Sequence, residues 1–472
     1  MYSEKHMRKK LLIISSAAAL TALAALYGVW LVSKLGSPWY GIAASLLSVL
    51  LFGMLTVFFL KGLFEQWFPE KKAEKDNIQP SLSRRERFSY KHPWLKIVGF
   101  MLLSRLGLIL LGYLLNLLAE GGYSGGIIDT FQDIWQKWGT DAPSYYGIAE
   151  NWYVTEGDAR FHIVFFPFFP IMIRLFWYIF GSFFVSAMAV STLSSIVSAV
   201  VLYELMLLDF DREASLRAVK YAFILPAAIF FHTPMTEALF LMLSLLCVYL
   251  IRRKRYIFAG IFGLLAGLTR SPGILLAVPA VIEAVTDLIP IYREKSENRL
   301  NETLERLVGI LLIPCGFLIY LIINKTVTGD AFTFMQYQRE HWGQSLSYFF
   351  NTPEYQLNCL VRYIREGNMS FVAGTLIPNL LYIFASLIII VLAAGKGKLR
   401  PSYTGYFAAY FAMVIGPTWL LSAPRYLTAC FPFAVGLSCI TENKRTDIVI
   451  STICIFLMVL YLFGYVGPWS IY

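Results

Sequence analysis

Between Leu11 and Ser33 the chain runs for 23 residues without a charged side chain, and from Gly41 to Leu60 it does so again for 20. About 20 apolar residues of helix span the roughly 30 Å hydrocarbon core of a bilayer. Inside that core no water meets backbone N–H and C=O groups, so a spanning segment has to satisfy its own. Runs of this kind therefore restrict the chain to a bundle of membrane-spanning helices. The whole composition agrees, with 57% hydrophobic and 15% charged residues among 472, far from the balance of a soluble domain. The first run exceeds a signal-peptide core in length and is expected to stay in the mature protein.

A net charge of +10 suits nucleic acid or anionic lipid, but in a membrane protein its placement matters more than its sum. Lys and Arg gather in Lys5–Lys10, Lys61–Lys96, Arg212–Lys220, Arg252–Arg255, Arg293–Arg306, Lys396–Arg400 and Lys444–Arg445. Read as cytoplasmic, these clusters give 13 helices with the amino terminus inside and the carboxyl terminus outside. The expected spans are 11–33, 41–60, 97–118, 185–207, 216–231, 235–251, 256–270, 273–291, 307–324, 371–394, 403–422, 427–440 and 448–466. The apolar stretch Phe165–Phe180 is broken by Pro167, Pro170 and Arg174 and reads as an interfacial or re-entrant helix on the outer face.

The same pattern divides the chain into an accessory N-terminal transmembrane hairpin (1–60), a basic cytoplasmic linker (61–96) and a transmembrane body (97–472) with outer loops at 119–184 and 325–370. The linker carries nine Lys and Arg, whereas Ala119–Ile163 carries seven acids and two bases, which sets the two on opposite sides. No repeat of the solenoid or inverted-transporter kind is visible. The six cysteines (247, 315, 359, 430, 439, 454) follow no CxxC or CxxH spacing, so they support neither a disulfide framework nor a metal site.

Five polar clusters interrupt the apolar runs: "FFHTPMTEALF" from Phe230, "GLTRSPGILL" from Gly267, "FTFMQYQREHWG" from Phe332, "SAPRYL" from Ser422, and His162 before "FFPFFP". The topology sets all five on the outer face, several beside helices too short to cross. Irregular backbone at membrane depth survives only where it lines protein or water, so a cavity cut below the outer surface is expected. Arg270 and Arg425, both beside prolines on the side normally poor in bases, suit a phosphate at headgroup depth; snorkelling to the interface is the competing explanation. Glu237 is either a helix-start carboxylate favoured by the dipole or a hydroxyl-binding group. His162, His232 and His341, with Trp152, Trp342 and the many Tyr, are either an interfacial belt or sugar-stacking and hydrogen-bonding groups. Asp141 precedes Tyr145, Tyr146, Trp152 and Tyr153; it is either one solvated acid among seven or a partly desolvated general base.

With these residues in view the sequence resembles the PIG-V mannosyltransferases, a branch of the GT-C glycosyltransferases with bacterial relatives. Members carry an Asp in the first outer loop, seven residues before an Ile-Ala pair and with Tyr between. The matching residues are Asp141, Tyr146, Ile148 and Ala149, followed by "FFPFFPIMIR" from Phe165 to Arg174. "PAAIFFHTPMTEALF", "LTRSPGILL", "FMQYQREHWG" and "SAPRYLTACFP" follow in the family's order, so five motifs span roughly residues 95–440. The sequence departs from the family at Thr140, where Trp is usual, at Met235 in place of Tyr, and at Trp152, often Gly.

The resemblance implies an all-α, GT-C-like bundle with an outer-face cavity. It implies transfer of a hexose, mannose in the eukaryotic relatives, from a polyprenyl-phosphate donor to an acceptor hydroxyl on a glycan or lipid, with inversion. Asp141 would then be the general base and Arg270 and Arg425 the seat of the donor phosphate, with Tyr145, Tyr146, His162, Glu237, Gln338, His341, Trp342 and Tyr426 as substrate-binding candidates. No metal ligands are assigned, no nucleic-acid partner is implied, and divalent-metal dependence stays open. A transporter or flippase of a lipid-linked saccharide, and a non-catalytic membrane scaffold, are the competing classes. A bacterial plasma membrane is the preferred location, with endoplasmic reticulum as the other.

Overall fold

Every long apolar run that the structure covers is a helix. The computed structural model describes residues 15–16, 18–19, 21–23, 25–28, 30, 34, 36–68, 93–120, 127–136, 140–294, 297–345, 348–417, 422–467, 469 and 471. The expected linker, from 69 to 92, and much of the expected first span, 11–33, lie outside these residues.

In chain order the helices are α1 (Trp39–Trp67), α2 (Pro93–Glu120), α3 (Ile127–Trp135), α4 (Ala142–Asn151), α5 (Phe168–Phe180) and α6 (Phe183–Met206). They continue with α7 (Arg212–Ile224), α8 (Glu237–Arg252), α9 (Tyr256–Gly267), α10 (Ala277–Arg293), α11 (Arg299–Thr328) and α12 (Thr333–Trp342). The last six are α13 (Thr352–Arg365), α14 (Ile377–Gly395), α15 (Pro401–Ile415), α16 (Ala423–Thr428), α17 (Pro432–Ile440) and α18 (Lys444–Val466). Among the described residues there is no β-strand.

Among the described residues, seven helices are long and apolar enough to cross a membrane: α1, α2, α6, Ser271–Arg293, α11, Met369–Gly395 and α18. Two bent pairs raise the number to nine if each is one span: Asp158–Val164 with α5, bent by 110°, and α7 with Pro226–His232, bent by 81°. The first bend falls at Pro167 and the second at Pro226, each a residue without an N–H to continue the preceding ladder. Other expected spans are short. The 16 residues of α8 and the 12 of α9 reach about 24 and 18 Å, and the segment 427–440 is split between α16 and α17.

Large apolar side chains such as Leu103, Leu118 and Phe456 stay exposed on α2 and α18, as they do on helices whose outer face meets lipid rather than water. Helix α1 extends past the expected 60 to Trp67, taking in Lys61 and Glu65, and packs on the body. Phe52 meets Phe349 and Phe411 at 5.0 and 6.2 Å, and Trp67 Nε1 donates to Thr286 Oγ1 at 2.9 Å.

Two arrangements fix the helices that bear the polar clusters. At one end, Asp209 accepts from Arg252 at 2.8 Å and from Arg400 at 3.3 Å, and Arg400 donates to Glu283 at 2.6 and 2.8 Å. This lattice joins the end of α6 to α8, α10 and α15. Along the bundle, α9 and α11 meet main chain to main chain. A Cβ on Gly309 would lie 2.3 Å from the Tyr256 carbonyl oxygen, and one on Gly316 only 2.0 Å from that of Leu264. Only glycine permits that approach, the device by which helices associate in lipid.

Candidate active site

Helix α8 starts at Glu237 and ends at Arg252, so the polar cluster at its start lies about 24 Å from the Arg252–Asp209 lattice. Four segments converge at that start. Asp141 stands just before α4, with Pro143 in the first turn, and its side chain makes no cap hydrogen bond. A residue in this position usually caps the helix. Here the carboxylate instead turns to α16, where Oδ2 accepts from Arg425 Nη2 at 3.1 Å.

Arg425 is 5% exposed. Its Nε donates to Glu237 Oε1 at 2.8 Å, and its guanidinium lies 5.0 Å from the Phe230 ring centre. The same Glu237 oxygen accepts from Arg270 Nη1 at 2.5 Å, and Arg270 also donates to Thr236 Oγ1 at 3.0 Å. Arg270 sits 4.1 Å over the ring of Tyr426, Arg425's neighbour in sequence. Glu237 is wholly buried, a position a carboxylate holds only when charges pair with it. Its place at the first turn of α8 adds the favourable end of the helix dipole. The result is one continuous chain of charges, Asp141–Arg425–Glu237–Arg270, drawn from α4, α16, α8 and the turn after α9.

In front of this chain lies a cavity of about 310 Å³. Asp141, Tyr145, Arg270, Arg425 and Tyr426 line it together with Gln338 and Trp342 of α12. The Oε1 of Gln338 is buried without a hydrogen-bond partner among the described residues, as is Glu237 Oε2. A second cavity of about 360 Å³ shares Phe166, Ser271, Gln338 and Tyr426 with the first and continues it between Pro272, Phe317, Phe334 and Val414. A polar chamber thus adjoins a mainly apolar one, which Arg339 also lines.

Seven of the residues singled out in the sequence therefore meet on one cavity, and Glu237 stands directly behind its two arginines. Three others do not line it. The Tyr146 hydroxyl is buried without a partner among the described residues, His162 packs beneath Gly147, and His341 stacks on Phe161 at 4.3 Å. Sequence reasoning missed Thr236 and Phe230, which touch the arginines from within a motif already noted, and Phe166 and Ser271, shared by the two cavities.

It also missed Arg105. This buried arginine of α2 lies 3.3 Å from His232 Nδ1 and donates to the Met188 carbonyl at 3.3 Å, with no carboxylate partner among the described residues. An arginine inside an apolar helix was the available signal. Among the described residues, no group of three or more His, Cys, Asp or Glu could hold a metal ion.

No family model matches the chain. It is 25% identical over 257 residues to GPI mannosyltransferase 2 of Yarrowia lipolytica, a match covering 52% of this chain and 64% of that protein. The chain thus spans less than two thirds of that relative's length. Among solved structures it is similar to the oligosaccharyltransferase of Archaeoglobus fulgidus in its apo form, with 12% identity, a TM-score of 0.45, and coverage of 81% of this chain and 57% of that one. It is likewise similar to the archaeal oligosaccharyltransferase AglB from the same organism in complex with an inhibitory peptide and a dolichol-phosphate, at 12% identity and a TM-score of 0.40, with 77% and 56% covered.

Proposed function

We propose that this multi-pass membrane protein is a glycosyltransferase that moves a hexose, mannose by its resemblance, from a polyprenyl-phosphate donor to an acceptor hydroxyl at the outer face, with inversion. The observation that carries the reading is the convergence of Asp141, Arg270 and Arg425 on one cavity beside an apolar chamber. About 310 Å³ is at the lower end of small-molecule sites, and the apolar chamber suits the first units of a lipid chain. Similarity to a GPI mannosyltransferase supports the sugar-transfer class.

The chemistry follows from the charges. An acceptor oxygen attacks the anomeric carbon while Asp141 takes the hydroxyl proton. The bond from that carbon to the phosphate oxygen breaks, and Arg270 and Arg425 hold the departing lipid phosphate. Asp141 and the phosphate compete for Arg425 Nη2. Donor binding therefore draws the guanidinium away and leaves the carboxylate free to accept a proton.

The test is transfer from radiolabelled polyprenyl-phosphate mannose and glucose by purified protein in lipid nanodiscs. One donor is expected to be consumed, and Asp141→Asn to slow transfer by about 10²- to 10⁴-fold. Neither donor being consumed would sink the reading, as would near-normal transfer by a folded Asp141→Asn protein. Movement of intact lipid-linked sugar across vesicles without transfer would favour transport instead.

A further inference from the structure

The end of the bundle remote from Asp141 holds a third cavity, of about 570 Å³, between α2, α7 and the start of α18. Its position is fixed by α18. Tyr465 packs against Phe230 at 5.8 Å, beside Arg425, whereas Lys444 and Asp447 line this cavity about six turns away. At about 5.4 Å per turn the two sites are about 30 Å apart.

Five basic side chains line it, Lys96, Arg212, Arg217, Lys220 and Lys444, against three acids. Two of the acids are already engaged. Asp447 accepts from Lys220 at 2.6 Å and from the Tyr221 hydroxyl at 2.7 Å, and Glu442 pairs with Lys398. Lys96, Arg217 and Lys444 have no carboxylate at ion-pair distance among the described residues, and Arg217 Nε is buried without a hydrogen-bond partner. A buried guanidinium N–H left unmade costs more than the bond itself is worth, so the site is built for an anion. Pro93, Ile97, Phe100, Leu216, Val219 and Thr441 complete the wall, and Phe100 and Leu216 are exposed.

We propose that this cavity binds the phosphodiester head of an anionic phospholipid, with its acyl chains running along Phe100 and Leu216. A basic recess between spanning helices, open to the acyl region and sited where Lys and Arg are densest, has the chemistry for such a head. The apolar wall is what distinguishes a lipid from free phosphate.

The test is native mass spectrometry and thermal unfolding of the purified full-length protein in detergent, titrated separately with phosphatidylglycerol, phosphatidylcholine and inorganic phosphate. Phosphatidylglycerol is expected to stay bound and to raise the melting temperature, the other two to do neither. The double variant Arg217→Gln/Lys444→Gln should bind phosphatidylglycerol about 30-fold more weakly, and Lys96→Gln, on an exposed side chain that leaves folding intact, about 5-fold. Arg253→Gln/Arg255→Gln, exposed on the same end, should bind as the parent does. Equal binding of phosphatidylcholine or inorganic phosphate would overturn the proposal. So would unchanged phosphatidylglycerol affinity in Lys96→Gln, or an equal loss in the Arg253/Arg255 pair.

Discussion

Glu237→Gln and Asp141→Asn each remove one negative charge from the same chain of ions, yet the structure assigns them opposite consequences. Glu237 is 0% exposed and its Oε1 receives both Arg425 and Arg270, at 2.8 and 2.5 Å. Neutralising it leaves two buried guanidinium groups with no charge between them, and breaking a buried pair from one side costs about 3–5 kcal/mol. The Asp141 side chain is 32% exposed, and Arg425 keeps Glu237 when Asp141 is neutralised. Its loss should cost about 0–1 kcal/mol, as for a solvent-screened pair.

The assay is unfolding of both purified variants in mild detergent, followed by the fluorescence of the 11 tryptophans, with sugar transfer measured on the same samples. Glu237→Gln should melt well below the parent. Asp141→Asn should melt close to it while losing transfer by about 10²-fold or more. Equal melting temperatures for the two variants would refute the shared-oxygen clamp, because the burial difference would then carry no energy.

Trp152 ends α4 at φ 63°, ψ −160°, a region that strains any residue with a Cβ. Trp152→Gly should therefore be more stable than Trp152→Ala by about 1–2 kcal/mol, read as a difference in denaturation midpoint, since both lose the 4.9 Å ring contact with Tyr153 and only glycine sheds the strain. Gly316→Ala forces a Cβ against the Leu264 carbonyl and should destabilise by about 1–3 kcal/mol, seen as a lower melting temperature. Arg270→Lys cannot both bond Thr236 and Glu237 and lie flat on Tyr426; it should weaken donor binding by about 5- to 30-fold with kcat less affected, as a rise in donor KM.

The membrane helices were legible in the sequence because lipid leaves an apolar run one way to satisfy its backbone. Arg270 and Arg425 stood out for a related reason, as bases beside prolines in stretches where a membrane chain seldom keeps them, and Asp141 stood out by the run of aromatics that follows it. What stayed hidden depends on three-dimensional partnership. Glu237 reads as an ordinary helix-start carboxylate, and only the fold reveals that two arginines from distant segments share one of its oxygens. The Asp209–Arg252–Arg400–Glu283 lattice joins segments up to 191 residues apart, and no local pattern announces it. His162 and His341 flank motifs, and the fold sets the His162 ring against Gly147 and the His341 ring on Phe161, neither on the cavity wall. At Trp152 the comparison runs the other way: the departure from glycine noted in the sequence coincides with a left-handed backbone.

The glycine seam between α9 and α11 has a mechanical consequence. Side chains at most helix contacts act as small cushions that yield by changing rotamer, and where Gly309 and Gly316 meet the Tyr256 and Leu264 carbonyls the main chains touch without one. Arg270 leaves one end of α9, while α11 runs through Gly329 into α12, which carries Gln338 and Trp342. Tilting α11 is therefore expected to carry the turn that bears Arg270 with it, which ties that side of the chamber to the helix leading into Gln338 and Trp342.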